Sequence, residues 1–486
     1  MKGFFLTGIS VLVLCSAIFG QNEQDALRYS RIGFGGTARF SSMAGAFGAL
    51  GADMSTLSTN PAGLGFYHKN EIAFTPSFYN QNVNSTYNGT MTSDSRFNFR
   101  FDNFGFVFAG KTDNTSETGW QTVGMGIVYN RYSSFQSDVK MQGNSTTSMM
   151  DSWAKTAGGT GPFSLDGYNE GLAWNTYLLN TIPGDSTHYT DTIPNGDLLA
   201  QSKTVTTRGG MGEWVFGIGG NYSNKFYIGA SVGIPQVKYQ ENDSYTETEV
   251  NDTTSAFSYY KFDQQLSTRG RGFNFKFGVI YRPIDMLRVG FAFHSPSVLK
   301  LTDSYGASMT SLFNTNTSTS TYEDIAPDGN FNYTIRTPMR MIGSVAVILG
   351  KLASIAADYE IVDYSEAQLK SSTYAFSTAN EAIQNKYTAA SNIRVGAEVR
   401  LLPLILRGGF AYYGSPYSNS VENNAARLYL TGGLGYRDPD DQFFVDLGVV
   451  TTSEKSNYYF YDQSLVNPVH NTAKVVNVVL TLGFRY

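Results

Sequence analysis

GFNFKFGVIYRPIDMLRVGFAFH, residues 272–294, decides the fold. In an extended chain successive side chains point to opposite faces. Phe273, Phe275, Phe277, Val279 and Tyr281 then share one face, and Asn274, Lys276, Gly278 and Arg282 the other. After a turn at Pro283-Ile284 the pattern resumes: Leu287, Val289, Phe291 and Phe293 oppose Arg288, Gly290, Ala292 and His294. One face is large and apolar, the other small or charged.

The same alternation extends in both directions, through Ile393–Leu401 and on to Val476–Tyr486. It predicts fourteen strands, at roughly 70–80, 98–110, 119–135, 212–222, 225–242, 270–282, 285–303, 331–350, 352–368, 389–402, 404–416, 426–438, 441–455 and 474–486. The breaks between them alternate in length. Ser223-Asn224, Pro283-Ile284, Gly350-Lys351, Leu402-Pro403 and Asp438–Asp440 are tight. The others, including 81–97, 136–211, 243–269 and 304–330, are long and rich in Ser, Thr, Asn and Tyr. Short turns at one end and long loops at the other describe a transmembrane barrel. In hydrocarbon every backbone N–H and C=O must be paired, so a β span has to close on itself. The aromatic face then meets lipid and the glycine-and-charge face lines the lumen. A soluble sandwich or lipocalin-like barrel accounts for neither the loop asymmetry nor the ending on Phe484-Arg485-Tyr486, which looks like an outer-membrane assembly signal.

Composition agrees. Fifty glycines, 32 tyrosines and 34 phenylalanines in 486 residues are high for a soluble enzyme. A net charge of −5 gives no basic footprint, so nucleic acid is not an expected partner. Met1-Lys2-Gly3 followed by an apolar run to Gly20 reads as a secretory signal, residues 1–20, and is too short for an anchor. The single cysteine, Cys15, falls inside it, which leaves no disulfide framework. No later run of 18 apolar residues exists, so no transmembrane helix is expected.

One stretch has no place in the sheet. Residues 35–67, GGTARFSSMAGAFGALGADMSTLSTNPAGLGFY, are small and carry no long charged side chain after Arg39. A short helix is expected near Ser41–Leu50. The segment 21–68 is read as a plug inside the wall, and 69–486 as the barrel, with a large extracellular insert at 136–211 that contains an amphipathic segment near Tyr168–Leu179.

At Asn60-Pro61-Ala62-Gly63-Leu64 the sequence resembles the FadL-type family of long-chain fatty-acid and aromatic-hydrocarbon transporters. The run Ser41–Ala46 and the hairpins around Tyr281–Ser295, Pro338–Ser365 and Arg394–Pro416 are also similar to that family. The resemblance implies a fourteen-stranded outer-membrane barrel of a Gram-negative bacterium with an N-terminal hatch, whose signature here is Asn60, Pro61, Ala62 and Gly63. It implies passive uptake of a hydrophobic small molecule, by a monomer in contact with outer-membrane lipid. Lateral release through a kink in the third strand belongs to the same resemblance, and Gly124 and Gly126 are two glycines at which that strand is able to bend, although lumen-face glycine is the favoured reading of both.

The expected ligand contacts are apolar plug residues, Phe47, Leu50, Leu57, Leu64 and Phe66, with lumen arginines Arg288, Arg394 and Arg407 for an acid head group. The alternative for the apolar set is packing of the plug, and for the arginines a mutually paired barrel interior. No metal site is expected, since His68, His188, His294 and His470 are scattered. No cofactor motif is present. An enzyme is not expected: the neighbouring pair His294-Ser295 is the one hint of an acyl hydrolase, and adjacent strand residues point apart. The acidic turn Asp438–Asp441 reads as solvated rather than cation-binding. The rival function is an interaction protein of a secretion system, with the insert as docking surface.

Overall fold

The computed structural model describes residues 21–113, 116–251, 256–315 and 318–486. The expected signal, residues 1–20, lies outside them. Among the described residues no helix is long and apolar enough to cross a membrane. The wall is one antiparallel sheet closed on itself.

Fourteen wall strands run in chain order: β1 (Glu71–Tyr87), β2 (Thr90–Lys111), β3 (Trp120–Ser134, continued as Ser137–Ser145), β4 (Leu199–Tyr222), β5 (Phe226–Glu249), β6 (Phe257–Ile284), β7 (Leu287–His294 and Val298–Asn314), β8 (Gly329–Arg336 and Arg340–Leu349), β9 (Ala353–Asp363), β10 (Ala389–Leu401), β11 (Leu404–Tyr413), β12 (Arg427–Arg437), β13 (Phe443–Tyr458) and β14 (Val469–Arg485). Each pairs with its neighbour. Closure is by β1 on β14, from Glu71↔Arg485 to Thr86↔His470. The outward face is apolar, as expected: Phe275, Phe277, Val289, Phe291, Ile393 and Leu482 are all exposed on the outer wall.

The expected strands are too short on the extracellular side. Residues 81–97, read as a loop, are a continuous hairpin turning at Asn88-Gly89. Residues 243–249, 257–269 and 304–314 are likewise strand. The reason is the solvent. Beyond the bilayer the outward residues meet water and become polar, while the inward ones, Tyr87, Tyr245, Glu247, Tyr260 and Phe262 among them, are buried in a mixed polar and aromatic interior, so the apolar-outward alternation disappears while the hydrogen-bond ladder continues. The tight turns fall within two residues of their expected places, and Ser223 and Asn224 adopt φ 55° and 53°, as a two-residue hairpin requires.

The N-terminal segment holds α1 (Glu23–Ser30), α2 (Ala38–Ser42) and two 3₁₀ turns, Met54–Ser58 and Pro61–Phe66. The helix expected at Ser41–Leu50 is displaced, because Ala44 and Gly45 at φ 53° and 72° end α2 and reverse the chain. Residues 23–30, for which no helix is expected from the sequence, form α1 with a capping box at Asn22 and Asp25. In the insert, α3 (Met149–Thr156) and α4 (Glu170–Asn175) are followed by a small hairpin, Leu179–Ile182 with Asp185–Asp191. The amphipathic stretch therefore shrinks to the six residues of α4.

Candidate ligand passage

Residues 35–67 contact inward-facing positions around the whole wall, and they fit because those positions are glycine. A Cβ at Gly124 would lie 2.8 Å from Leu64 O, and one at Gly126 2.9 Å from Leu57 Cδ2. At Gly229 it would lie 2.4 Å from the Pro61 carbonyl, and at Gly278 1.8 Å from Asn60 Oδ1. Real Cβ atoms do not make such contacts, so the wall is moulded to the segment. Gly124 and Gly126 are thus lumen-face sockets in regular ladder, not a bend.

Polar contacts fix the same segment. Asn60 caps its own 3₁₀ turn through Ala62 N (3.1 Å) and donates to Gly48 O (2.6 Å). Gly48 N donates to both oxygens of Asp358 at 3.2 Å. His294 Nε2 donates to Thr59 O at 2.7 Å, while Ser295 Oγ accepts from Phe275 N on the other side of the strand, so the two residues do not form a catalytic pair. Phe47, Leu50, Leu57 and Leu64 are buried in these contacts. Phe66 stacks on Tyr227 with ring centres 3.7 Å apart, and the Arg288 guanidinium lies 4.0 Å over its other side.

The inner wall carries a belt of ion pairs. Arg407 joins Glu398 (2.7 Å) to Asp446 (2.6 Å); Arg39 of α2 reaches Glu398 at 3.0 Å. Arg394 lies between Asp358 and Glu360, and Glu360 also receives Arg340 at 3.0 Å. Lys276 binds Glu213 at 2.7 Å. Arg288 has no carboxylate partner among the described residues. The acidic turn is held by cations from the chain itself, Arg485 on Asp441 (2.8 Å) and Lys69 on the carbonyls of Asp440 and Asp441.

Between α1, residues 33–35 and the wall lies a cavity bordered by Tyr29, Tyr132, Glu213, Lys276, Arg340 and Arg394, among others. Its volume, about 70 Å³, suits a few ordered waters and is too small for an extended acyl chain. Of the eight expected ligand contacts only Arg394 borders it. Tyr29 Oη, Ser30 Oγ and Arg394 Nε line it without a hydrogen-bond partner among the described residues.

The wall is interrupted between β2 and β3. Their ladder ends at Asn103↔Asn130. Above it β3 loses register at Arg131/Ser133, bends at Phe135-Gln136 and continues paired to β4 alone. Gly209 of β4, opposite the bend, sits at φ 110° with Lys238 O only 2.0 Å from any added Cβ, so glycine is required there. The freed edge is partly covered from inside: Gly33 N donates to Tyr132 O at 3.1 Å. Phe135 turns inward onto Tyr29 of α1, with ring centres 6.1 Å apart. Nothing in the alternation pattern marks residues 135–136, and α1 has too few apolar residues to announce itself.

Over the extracellular ends, the insert packs into an apolar cluster that includes Met149, Trp153, Tyr260, Phe262, Met309 and Phe460. Its docking point is Glu247 of β5, wholly buried, which accepts from Ser148 Oγ (2.5 Å), Met149 N (3.0 Å), Gln201 Nε2 (3.0 Å) and Tyr245 Oη (2.6 Å). Outward residues of β5 from Gln236 to Thr248 are all polar, which puts Glu247 beyond the lipid band. Burial pushes its carboxyl up to about 7.

Residues 30–486 match the family described as outer membrane protein transport protein (OMPP1/FadL/TodX). No curated protein matches the sequence. The fold is similar to a crystal structure of a Pseudomonas aeruginosa FadL homologue, TM-score 0.56 at 13% identity, covering 94% of this chain and 99% of that one. It is also similar to the P. putida toluene transporter TodX, TM-score 0.52 at 13% identity over 93% and 99% of the two chains. A closed fourteen-stranded wall with a lipid-facing aromatic surface, matched over nearly its whole length, makes this chain a member of the FadL/TodX family of outer-membrane transport proteins of Gram-negative bacteria.

Proposed function

We propose that the protein is a passive channel for hydrophobic small molecules, long-chain fatty acids or monoaromatic hydrocarbons, and that it releases them sideways into the membrane. The observation that carries this reading is the end of the β2–β3 ladder at Asn103↔Asn130, above which side chains bridge the two strands, Arg131 Nε to Phe101 O (3.2 Å), Arg96 to Asp138 (3.5 Å) and Asn88 Nδ2 to Asn144 O (2.7 Å), in place of a backbone ladder. Residues 21–68 act as the hatch. The glycine sockets hold Asn60–Leu64 in place, and the segment that moves is α1 with residues 31–35, which borders both the cavity and the gap. Arg288, with no carboxylate partner among the described residues, is the arginine we assign to an acid head group; Arg394 and Arg407 each already hold two carboxylates.

The test has two parts. Protein purified from its native membrane is examined by mass spectrometry for bound lipid and by pull-down for protein. Uptake of labelled oleate and toluene is then followed in vesicles. A stoichiometric fatty acid or hydrocarbon with protein-dependent uptake is expected. An empty barrel with a persistent secretion partner would overturn the reading.

A further inference from the structure

The periplasmic rim is lopsided. Three successive turns, β6–β7, β8–β9 and β10–β11, end in aliphatic residues exposed at their tips: Ile284 (60%), Leu352 (58%) and Leu402 (71%), with Met286 and Leu404 beside them. The turns on the other half are polar or acidic: Ser223-Asn224-Lys225 and Asp438-Pro439-Asp440-Asp441. Tyr222, Phe226, Tyr436 and Phe484 stand exposed at strand ends on that half, an aromatic girdle just inside the polar turns. The tips of the aliphatic turns are not aromatic; Tyr281 of β6, exposed three residues before Ile284, stacks on Phe226 at the border between the two halves.

Aromatic girdles mark the boundary between hydrocarbon and water. On the girdled half that boundary therefore lies inside the turns. On the aliphatic half the apolar surface runs to the tips, so the boundary lies at or beyond them. In the order around the barrel the β8–β9 turn lies six strands from the β2–β3 gap one way and eight the other. The outer ends agree. On β2 the exposed apolar row reaches Phe101, Phe99 and Phe97, above the last ladder pair at Asn103; on β10 it stops at Ile393, eight residues above Leu401.

We propose that the barrel stands tilted in the outer membrane, with the turns of β6–β11 seated in the inner-leaflet interface and the β2–β3 side pushed toward the periplasm. The occupant of the aliphatic rim is the phospholipid interface itself. The rim continues the lipid-facing wall, its exposed carboxylate at Asp285 is paired with Arg282 of the same turn, and Lys351 at its centre meets headgroup phosphates. The exposed acid of Asp440 on the opposite half is repelled by those phosphates, which turns that half to the aqueous side. The tilt carries the edge of β2 that lacks its β3 partner, with Phe97–Phe101, into hydrocarbon. Membrane residence alone supports the tilt; its service to sideways release rests on the function proposed above.

The test uses the full chain with Cys15→Ser and one cysteine at a time, Leu352→Cys, Leu402→Cys, Asn224→Cys, Asp440→Cys or Phe99→Cys, labelled with an environment-sensitive fluorophore. Each variant is first checked for the heat-modifiable mobility of a closed barrel, with Lys351→Cys replacing any rim variant that fails. In phosphatidylcholine–phosphatidylglycerol vesicles, labels at 352, 402 and 99 are expected to be quenched several-fold more by a doxyl lipid than by iodide, and those at 224 and 440 the reverse. Equal iodide access at 352, 402, 224 and 440 would overturn the proposal and leave the rim to a periplasmic protein or a second copy. Lipid quenching at all four would overturn it too, since a rim sunk evenly has no tilt. Absent uptake with the tilted pattern intact would strike the transport reading and spare this one.

Discussion

Arg407 has no exposed side-chain surface and bridges Glu398 and Asp446, while Arg39, Arg400 and Arg437 complete the cluster. Removing one member of a buried ion cluster leaves desolvated charge behind. Arg407→Ala should lower stability by on the order of 3 kcal/mol, read as a lower urea midpoint of the heat-modifiable form, with ligand selectivity unchanged. Glu247 makes the opposite kind of prediction. Its carboxyl is pushed up to about 7 by burial, above the ordinary 4.5, so the docked state holds the proton more tightly than the undocked one. Docking of the insert is then strongest near pH 4.5 and weakens as pH rises through 7, by up to about 3 kcal/mol. Proteolysis between residues 146 and 198 should be faster at pH 8 than at pH 5, and Glu247→Gln should flatten the difference.

At the scale of elements, the membrane strands were legible because lipid on one face and a filled lumen on the other impose a strict two-residue period. Phe273–Tyr281 and Ile393–Leu401 show it plainly. The upper halves of β1, β2, β5 and β6 were not legible, since water outside and a mixed polar and aromatic interior, with Tyr87, Glu247 and Phe262 buried in it, remove the constraint. Residues 35–67 were legible as a segment without period, Asn60–Leu64 at its centre, but not their mode of fixation. Leu57 and Leu64 were expected as ligand contacts; the structure places them against Gly126, Gly217, Gly124 and Gly219. The bend in β3 was sought at glycines of that strand, while the glycine that permits it, Gly209, is on β4. Register between strands is a property of pairs, and one strand's residues do not reveal it. These sockets are testable. Gly229→Leu would force a side chain against Pro61, with an overpacking cost of about 1–3 kcal/mol. We expect a closed barrel by heat-modifiability whose ionic conductance in planar bilayers is raised, because Asn60–Leu64 no longer seats.

For the whole molecule, the wall and its contents are separable in sequence. Deleting residues 21–65 should leave a folded barrel with raised nonspecific permeability, measured as influx of a small dye into vesicles. Failure to assemble would make the stretch part of the wall. Deleting residues 21–32 alone, which removes α1 and keeps the sockets filled, should raise hydrophobe uptake far more than dye influx. The contrast between the two deletions separates a fixed stopper from a moving one.

The moulded fit also bears on time. The helical pieces of residues 35–67 are five or six residues long, below the length that holds a helix in water. Their buried side chains face wall glycines from strands as far apart in the chain as Gly124 and Gly448. Residues 35–67, made before any wall strand, should therefore be the last to take a shape, as casting metal does when the final strand closes the mould.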